Sequence, residues 1–105
     1  MAQSEVIELL KNYIRILNAE GISVVKAYLF GSYSNNTATE ASDIDVMIVS
    51  DRYDERDDIA SGKTWSLTRK ISTKIEPLLI GIKKFNEDKT SPLINMIKTK
   101  GIEIV

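Results

Sequence analysis

Two short apolar segments in the first half of the chain constrain its fold most. Residues 24–30 (VVKAYLF) and 46–49 (VMIV) are rich in β-branched, aromatic and other large apolar side chains, the composition of buried strands. Residues 34–39 between them (SNNTAT) are polar and turn-prone, which predicts a loop. The sequence therefore predicts one strand at 24–30 and a second at about 43–49, joined by a turn or short helix that opens at Gly31.

Two carboxylates enter the second predicted strand side by side. Side chains alternate between the faces of a strand, so Asp43 and Asp45 share one face at a spacing of roughly 6 to 7 Å, while Ile44 points the other way. Both carboxylates can converge on one hard cation or on a pair of cations. On its own, an Asp-x-Asp sequence is more typical of a solvated loop or a helix cap.

A Gly-Ser pair ends the first predicted strand. Gly31 has no Cβ, so a bulky anion can approach its backbone closely. Ser32 adds a hydroxyl donor, and the amides of the following turn can donate to phosphate oxygens. Such a pair also occurs in countless ordinary loops, so its meaning depends on the aspartates that follow.

The composition limits the chemistry available to the chain. Its 105 residues include neither cysteine nor histidine, which removes thiolate nucleophiles, the usual zinc ligands and the usual general base. Metal chemistry must then use oxygen ligands, which favour magnesium, manganese or calcium. The length predicts a single domain, residues 1–105.

The charge and hydropathy limit the partners and the location. A formal net charge of -1 gives no general attraction to polyanions, so nucleic-acid binding driven by bulk charge is not expected. No apolar run approaches the roughly 18 to 20 residues of a membrane span, and the start of the chain lacks the pattern of a signal peptide. We therefore expect a cytoplasmic protein without membrane contact.

The remaining elements follow from spacing and end signals. A first helix is predicted over residues 5–20, capped by Ser4 and stopped by Gly21. Its core stripe comprises Val6, Leu10, Tyr13 and Leu17. Four further elements are predicted. The first is a helix from about 54 or 62 to 72, with Trp65, Leu67 and Ile71 partly inward, and the second is a strand at 75–82, in which Pro77 suits a sheet edge. The third is a helix at 92–100, capped by Ser91 and stopped by Gly101, and the last is a short strand within 102–105.

The whole arrangement resembles the minimal nucleotidyltransferase family of the DNA polymerase beta superfamily. The signature of that family is Gly-Ser, ten residues, then Asp-x-Asp, and Gly31-Ser32 followed by Asp43-Ile44-Asp45 matches it position for position. The resemblance covers nearly the whole chain. It implies an α+β nucleotidyltransferase fold, with a small mixed sheet of three to four strands, the second strand central, and flanking helices.

The resemblance assigns a third acidic residue to the third strand. Glu76 holds that position here, where small members of the family more often carry aspartate. The alternative for Glu76 is an ordinary solvent-facing strand residue. A second departure is the loop after Gly-Ser, where the family commonly has an arginine and this chain has no basic residue. Either triphosphate binding is then weak, or Lys63, Arg69 or Lys74 supplies the positive charge. Spacing does not choose among these three, and the alternative for each is an ordinary surface residue.

The resemblance also implies the roles of these residues. Asp43 and Asp45 would ligate two Mg²⁺ ions, with Mn²⁺ as a substitute, and Glu76 would complete the first metal site and accept the acceptor's proton. Gly31 and Ser32 would hold the phosphates of ATP or another nucleoside triphosphate. Ser42 would either add a hydroxyl contact to the nucleotide or serve as a simple turn serine.

Three functions remain open from the sequence. The first is an ATP-dependent adenylyltransferase that modifies a protein partner; in the minimal family this partner is a small helical HEPN-type protein, often a ribonuclease toxin that the nucleotidyltransferase neutralises. The second is an antitoxin or binding module that neutralises its partner by contact alone. The third is a transferase acting on a small molecule or nucleic acid. The paired motif favours an active enzyme, and the first function in particular is expected from the resemblance. Glutamate at position 76 and the missing loop arginine favour the second.

Overall fold

The computed structural model describes residues 1–105 and contains four helices and four strands. The helices are α1 (Gln3–Ala19), α2 (Asp58–Leu67), α3 (Ile82–Glu87) and α4 (Pro92–Lys100), and the strands are β1 (Val24–Phe30), β2 (Ile44–Ser50), β3 (Ile75–Ile80) and β4 (Ile102–Glu103). Single 3₁₀ turns occupy Gly31–Tyr33, Asp51–Tyr53 and Thr68–Lys70. None of the helices is both long and apolar enough to cross a membrane.

The strands form one mixed sheet in the order β3-β2-β1-β4. Strand β1 is antiparallel to both β2 and β4, whereas β2 and β3 are parallel. A parallel pair needs a crossover connection, and the segment that contains α2 supplies it. The predicted α+β fold with a small mixed sheet and a central β2 is confirmed.

Helix α1 has the predicted core stripe but a different start. Val6, Leu10, Tyr13 and Leu17 are all fully buried. The helix begins at Gln3 rather than at residue 5, and Ser4 lies in its first turn instead of capping it. The reason is that the Glu5 side chain stabilises an earlier start, because its Oε1 accepts a hydrogen bond from the amide of Ala2, the N-cap residue, at 3.0 Å. Gly21, at φ +89°, follows the helix as the predicted stop.

Helix α2 begins at neither predicted start. Asp57 caps it by accepting a hydrogen bond from the Ala60 amide at 2.9 Å, which fixes the first helical residue as Asp58. The α-helix ends at Leu67 rather than at residue 72, and a 3₁₀ turn continues it. Leu67 is buried as predicted, but Trp65 is 48% exposed and points outward, so the prediction for Trp65 is wrong.

The last third of the chain differs from the prediction in one short helix and in the end of β3, which stops at Ile80 rather than at residue 82. Strand β3 lies at the sheet edge, where Pro77 was expected. Ser91 caps α4 by accepting from the Ile94 amide at 3.2 Å. Helix α3 was not predicted. Its start is held by a distant residue, because the Lys83 amide donates to Asp54 Oδ1 at 2.9 Å.

The two faces of the sheet carry different cores. Helices α1 and α2 cover one face, where fifteen buried residues form the larger cluster. Helices α3 and α4 lie on the other face, over a smaller cluster of five buried residues: Met47, Val49, Ile80, Ile94 and Ile97. Alternation along β2 places Asp45 on the face of this smaller cluster, with Met47 and Val49. The candidate site therefore lies on the less covered side of the sheet.

Candidate functional site

Three carboxylates meet where β2 and β3 begin. Asp45 and Glu76 are register partners in the parallel ladder, and Asp43 lies two residues before Asp45 on the same face. On the other side of β2, Asp45 pairs with Phe30, the residue before Gly31. The register thus brings the three predicted acidic residues and the Gly-Ser turn to one end of the sheet.

Gly31 is the tightest point of this site. Its φ of +77° lies in the left-handed region, which only glycine adopts readily. A Cβ built there would lie 2.5 Å from Asp45 Oδ2. The carboxylate of Asp45 therefore rests directly against the backbone of the turn, and any larger residue at position 31 would displace it.

The loop between the two halves of the motif is held by its own hydrogen bonds. The amides of Ser34 and Asn35 donate to the Gly31 carbonyl at 3.1 and 3.3 Å, and the Thr37 amide donates to the Ser32 carbonyl at 3.0 Å. Further along, the Thr39 amide donates to Ser42 Oγ at 2.8 Å. Ser42 thus shapes the turn that leads into Asp43, while Ser32 lies half-buried in the turn after β1.

The three carboxylates repel one another. Burial raises the pKa of the Asp45 carboxyl above its usual value, and the nearby charge of Asp43 raises it further. The pKa of Glu76 is also raised, first by the charge of Asp43, then by desolvation and by the charge of Asp45. The side chains of Glu76 and Asp43 lie within hydrogen-bonding reach of each other. A bound cation would relieve this repulsion.

The donor chemistry of this cluster fits a hard cation. Carboxylate oxygens are the ligands that Mg²⁺ and Mn²⁺ prefer, and Asp43, Asp45 and Glu76 supply them on one face. The side chains are not yet arranged around a common point, since no group of three acidic residues has the geometry to hold a metal ion. Asp45 in particular lies directly against Gly31.

The structure distinguishes the three basic residues that the sequence left equivalent. Lys74 lies beside the site, because its ammonium donates to the carbonyl of Glu40 in the loop before Asp43. Lys63 instead donates to the Glu20 carbonyl at 2.7 Å, beyond the end of α1, and Arg69 follows α2. Lys74 stands two residues before Glu76, so strand alternation alone could have placed both on one face.

Residues 10–103 match the nucleotidyltransferase domain family. The chain belongs to this family. No curated protein matches it. Among solved structures, it is similar to a protein from Sulfolobus solfataricus assigned as a nucleotidyltransferase, at 18% identity and a TM-score of 0.61, over 83% of this chain and 77% of that one. This likeness confirms the fold, and the matched residues of this nucleotidyltransferase include the whole carboxylate cluster and the Gly-Ser turn.

Proposed function

We propose that this nucleotidyltransferase transfers the adenylyl group of ATP, with Mg²⁺, to a hydroxyl of a small helical HEPN-type protein and thereby acts as its antitoxin. The observation that carries the transfer chemistry is the contact between the Asp45 carboxylate and the Gly31 backbone, with Asp43 and Glu76 beside it. This places acidic ligands directly against a turn whose backbone is open to an anion. Mg²⁺·ATP is the substrate form that needs both features.

The acidic residues would hold the cations. Asp43 and Asp45 are suited to ligate both ions and Glu76 to complete one site, with Mn²⁺ able to replace Mg²⁺. When bound, the ions neutralise the triphosphate charge and favour ionisation of the acceptor hydroxyl.

The turn and the neighbouring lysine would hold the nucleotide. The missing Cβ of Gly31 leaves room for the Asp45 carboxylate, and the backbone amides of the turn that opens at Gly31, together with the Ser32 hydroxyl, can donate to phosphate oxygens. The Lys74 ammonium donates to the carbonyl of Glu40, in the loop between this turn and Asp43. It can supply the positive charge that the loop itself lacks. The Ser42 hydroxyl already accepts within its turn, so a nucleotide contact there would use its proton.

The transfer itself needs one proton acceptor. The acceptor oxygen attacks the α-phosphorus, the bond from that phosphorus to the pyrophosphate oxygen breaks, and the hydroxyl proton moves to Glu76. A carboxylate can take this proton in a chain without histidine, and Glu76 lies in register with Asp45 at the cluster. Pyrophosphate leaves with the negative charge.

A protein acceptor is supported by the surface around the cluster. Tyr28, Phe30 and Leu78 are half-buried on the face that carries Asp45 and the smaller core, so apolar surface borders the carboxylates. Aromatic side chains such as Tyr28 and Phe30 are enriched in the core of protein interfaces. A partner that covered these residues would also exclude water from the transfer.

The decisive experiment uses ATP labelled at its α-phosphate, Mg²⁺ and the helical protein encoded beside this chain. We expect label and the mass of AMP on that protein. Asp43→Asn and Asp45→Asn should each lower the transfer by at least about 100-fold, because they remove groups that act in the transition state. Asp51→Asn, just after β2, is the matched control and should transfer normally.

The other outcomes distinguish the remaining functions. A stable complex without added mass would establish neutralisation by contact, a function favoured by the loop that lacks a basic residue and by carboxylates not arranged around one point. Neither a complex nor added mass would refute the protein acceptor and leave transfer to a small molecule or nucleic acid. Loss of transfer in the Asp51→Asn control would refute the assignment of the metal site.

A further inference from the structure

Helix α2 exposes two of its large apolar side chains, which is unusual for a surface helix of a monomer. Its inner face is made of Ala60, Thr64 and Leu67, two of which are small. Its outer face carries Ile59 and Trp65, which are 79% and 48% exposed. A surface helix normally turns its large apolar side chains to the core, so the outer face of α2 has the composition of a contact surface.

The inner face cannot take these larger side chains. Thr64 is fully buried and hydrogen-bonded on both of its polar ends: its hydroxyl donates to the Ala60 carbonyl at 2.8 Å, and its own carbonyl accepts from the Tyr13 hydroxyl at 2.6 Å. These bonds fix the rotation of α2 against α1. Ile59 and Trp65 are therefore held outward by the fold.

The outer face also contains a gap of the right size for a side chain. A cavity of about 290 Å³ is lined by Gly62, Trp65, Ser66, Thr68, Arg69 and Thr73. A Cβ at Gly62 would meet nothing within 4 Å. Gly62 lies one turn before Trp65, so it leaves a notch beside the indole where another backbone or side chain can come close.

Charge is divided along this face. Residues 51–58 contain five acidic and two basic residues, whereas residues 59–75 contain four basic residues and no acidic one. Asp58, Gly62, Trp65 and Arg69 fall at i, i+4, i+7 and i+11, the spacing of one helical stripe. From its start to its end, the stripe therefore presents an acidic residue, a glycine without a side chain, an aromatic residue and a basic residue.

We propose that the outer face of α2 is the contact surface for a second copy of this chain. A stripe that is acidic at one end and basic at the other complements itself when two copies pack antiparallel about a two-fold axis. In that register Asp58 lies opposite Arg69 of the second copy and Gly62 lies opposite Trp65. Each indole then fills the notch at the other copy's glycine, and the Asp58–Arg69 ion pair forms twice.

The charge division also suits the dipole of α2 itself, but the dipole does not account for exposed Ile59 and Trp65 or for the notch at Gly62. The acidic cluster lies on the opposite face of the sheet from α2. Pairing through α2 would thus leave both sites of the dimer uncovered. The inference is independent of the acceptor and of the transfer.

The size of the face sets the expected affinity. A helix of ten residues is about 15 Å long, so the pair buries less than the roughly 1,600 Å² of a standard interface. We expect a dimer with a dissociation constant in the micromolar range. Sedimentation equilibrium of the full chain at about 100 μM should show it, and Trp65, as the only tryptophan, should change its fluorescence with protein concentration.

Charge reversal tests the register. Asp58→Arg and Arg69→Asp should each weaken the dimer by about tenfold or more, because each places like charges opposite one another twice. The double variant Asp58→Arg, Arg69→Asp restores opposite charges and should recover the dimer. Recovery in the double variant is expected only if the two positions face each other across copies. Equal loss in the double variant would overturn the antiparallel register.

Removal of an exposed apolar side chain tests whether the outer face of α2 forms the contact. Trp65→Ala should abolish the dimer while leaving the circular dichroism and the unfolding midpoint nearly unchanged, since the indole is half exposed. Leu93→Ala, on α4 and 44% exposed, is the matched control and should dimerise normally. A monomeric wild-type chain at about 100 μM, an unaffected Trp65→Ala dimer, or equal weakening by Leu93→Ala would overturn the proposal.

Discussion

The two faces of the sheet differ in how completely they are packed. On the face of α1 and α2, fifteen buried residues form one continuous core, whereas only five form the core under α3 and α4. The carboxylates and the Gly-Ser turn lie on the second face, at the end that its helices leave open. The comparison teaches that the first face supplies most of the stability and the second face tolerates the repulsion of three acidic groups.

Removal of a side chain from the larger core is expected to have the largest effect on stability. Leu10 is fully buried in that core, and Leu10→Ala should lower the free energy of unfolding by about 3 kcal/mol. Urea unfolding followed by circular dichroism measures the change. A loss below about 1 kcal/mol would show that the first face does not carry the stability assigned to it.

Gly31→Ala should damage the site more than the fold. The left-handed backbone at position 31 costs a residue with a Cβ about 1–2 kcal/mol, and the new Cβ displaces the Asp45 carboxylate. We expect this loss in urea unfolding, together with a fall in adenylyl transfer that exceeds the fall in stability.

Gly62→Ala is the matched control for Gly31→Ala. Its Cβ meets nothing within 4 Å, and alanine favours the helix by up to about 1 kcal/mol, so in dilute solution this variant should be slightly more stable than the wild type. Equal destabilisation by both alanines would contradict the special role given to Gly31.

The cap of α4 tests how firmly the second face is closed. Ser91 Oγ accepts from the Ile94 amide, and Ser91→Ala should cost about 1 kcal/mol in urea unfolding, while Ser91→Asp should keep the cap. If alanine and aspartate behaved alike, the smaller core would hold α4 without the cap.

The smallest expected effect is a pH dependence caused by Glu76. Its folded-state pKa is raised above the usual 4.5, so between these two values the folded chain holds more protons than the unfolded chain. The contribution of Glu76 to stability is therefore present at lower pH and is lost as pH rises through the raised pKa. The difference between the wild type and Glu76→Gln in unfolding midpoint, followed from acidic to neutral pH, measures it.

In the absence of divalent cations, the stability of Glu76→Gln relative to the wild type should increase as pH rises. Addition of Mg²⁺ should reduce that advantage, because a cation stabilises the ionised cluster of the wild type. A pH-independent difference would show that Glu76 is an ordinary solvent-facing residue. The lowered pKa values of Asp57 and Asp88 act in both proteins alike and cancel in the comparison.

The elements whose signals are local could be predicted from the sequence. Strand β1 has the predicted bounds because its apolar run ends at a glycine, and α4 does because Ser91, Pro92 and Gly101 mark both of its ends. The fold class and the central place of β2 came from the resemblance carried by the Gly-Ser and Asp-x-Asp motif. The structure and the family match confirm the fold and the general activity.

The remaining features depend on contacts between distant residues. The start of α3 depends on Asp54, and the rotation of α2, which turns Trp65 outward, depends on the hydrogen bond from Tyr13 to Thr64. The relation between Asp45 and Glu76 depends on a parallel register that no local pattern encodes. The roles of Asp43, Asp45, Glu76, Gly31, Ser32 and Ser42 and the identity of cofactor and partner stay predictions.

The parallel pairing of β2 with β3 has a consequence for synthesis of the protein. The turn and the first two carboxylates are complete once the ribosome has made the first fifty residues, but the position of Glu76 is defined only after the α2 crossover has been made and β3 has paired. A nascent or prematurely terminated chain therefore holds two of the three acidic groups without their geometry. The cluster of three carboxylates can form only on a finished sheet, so a nucleotidyl transfer that uses all three cannot begin while the chain is still being translated.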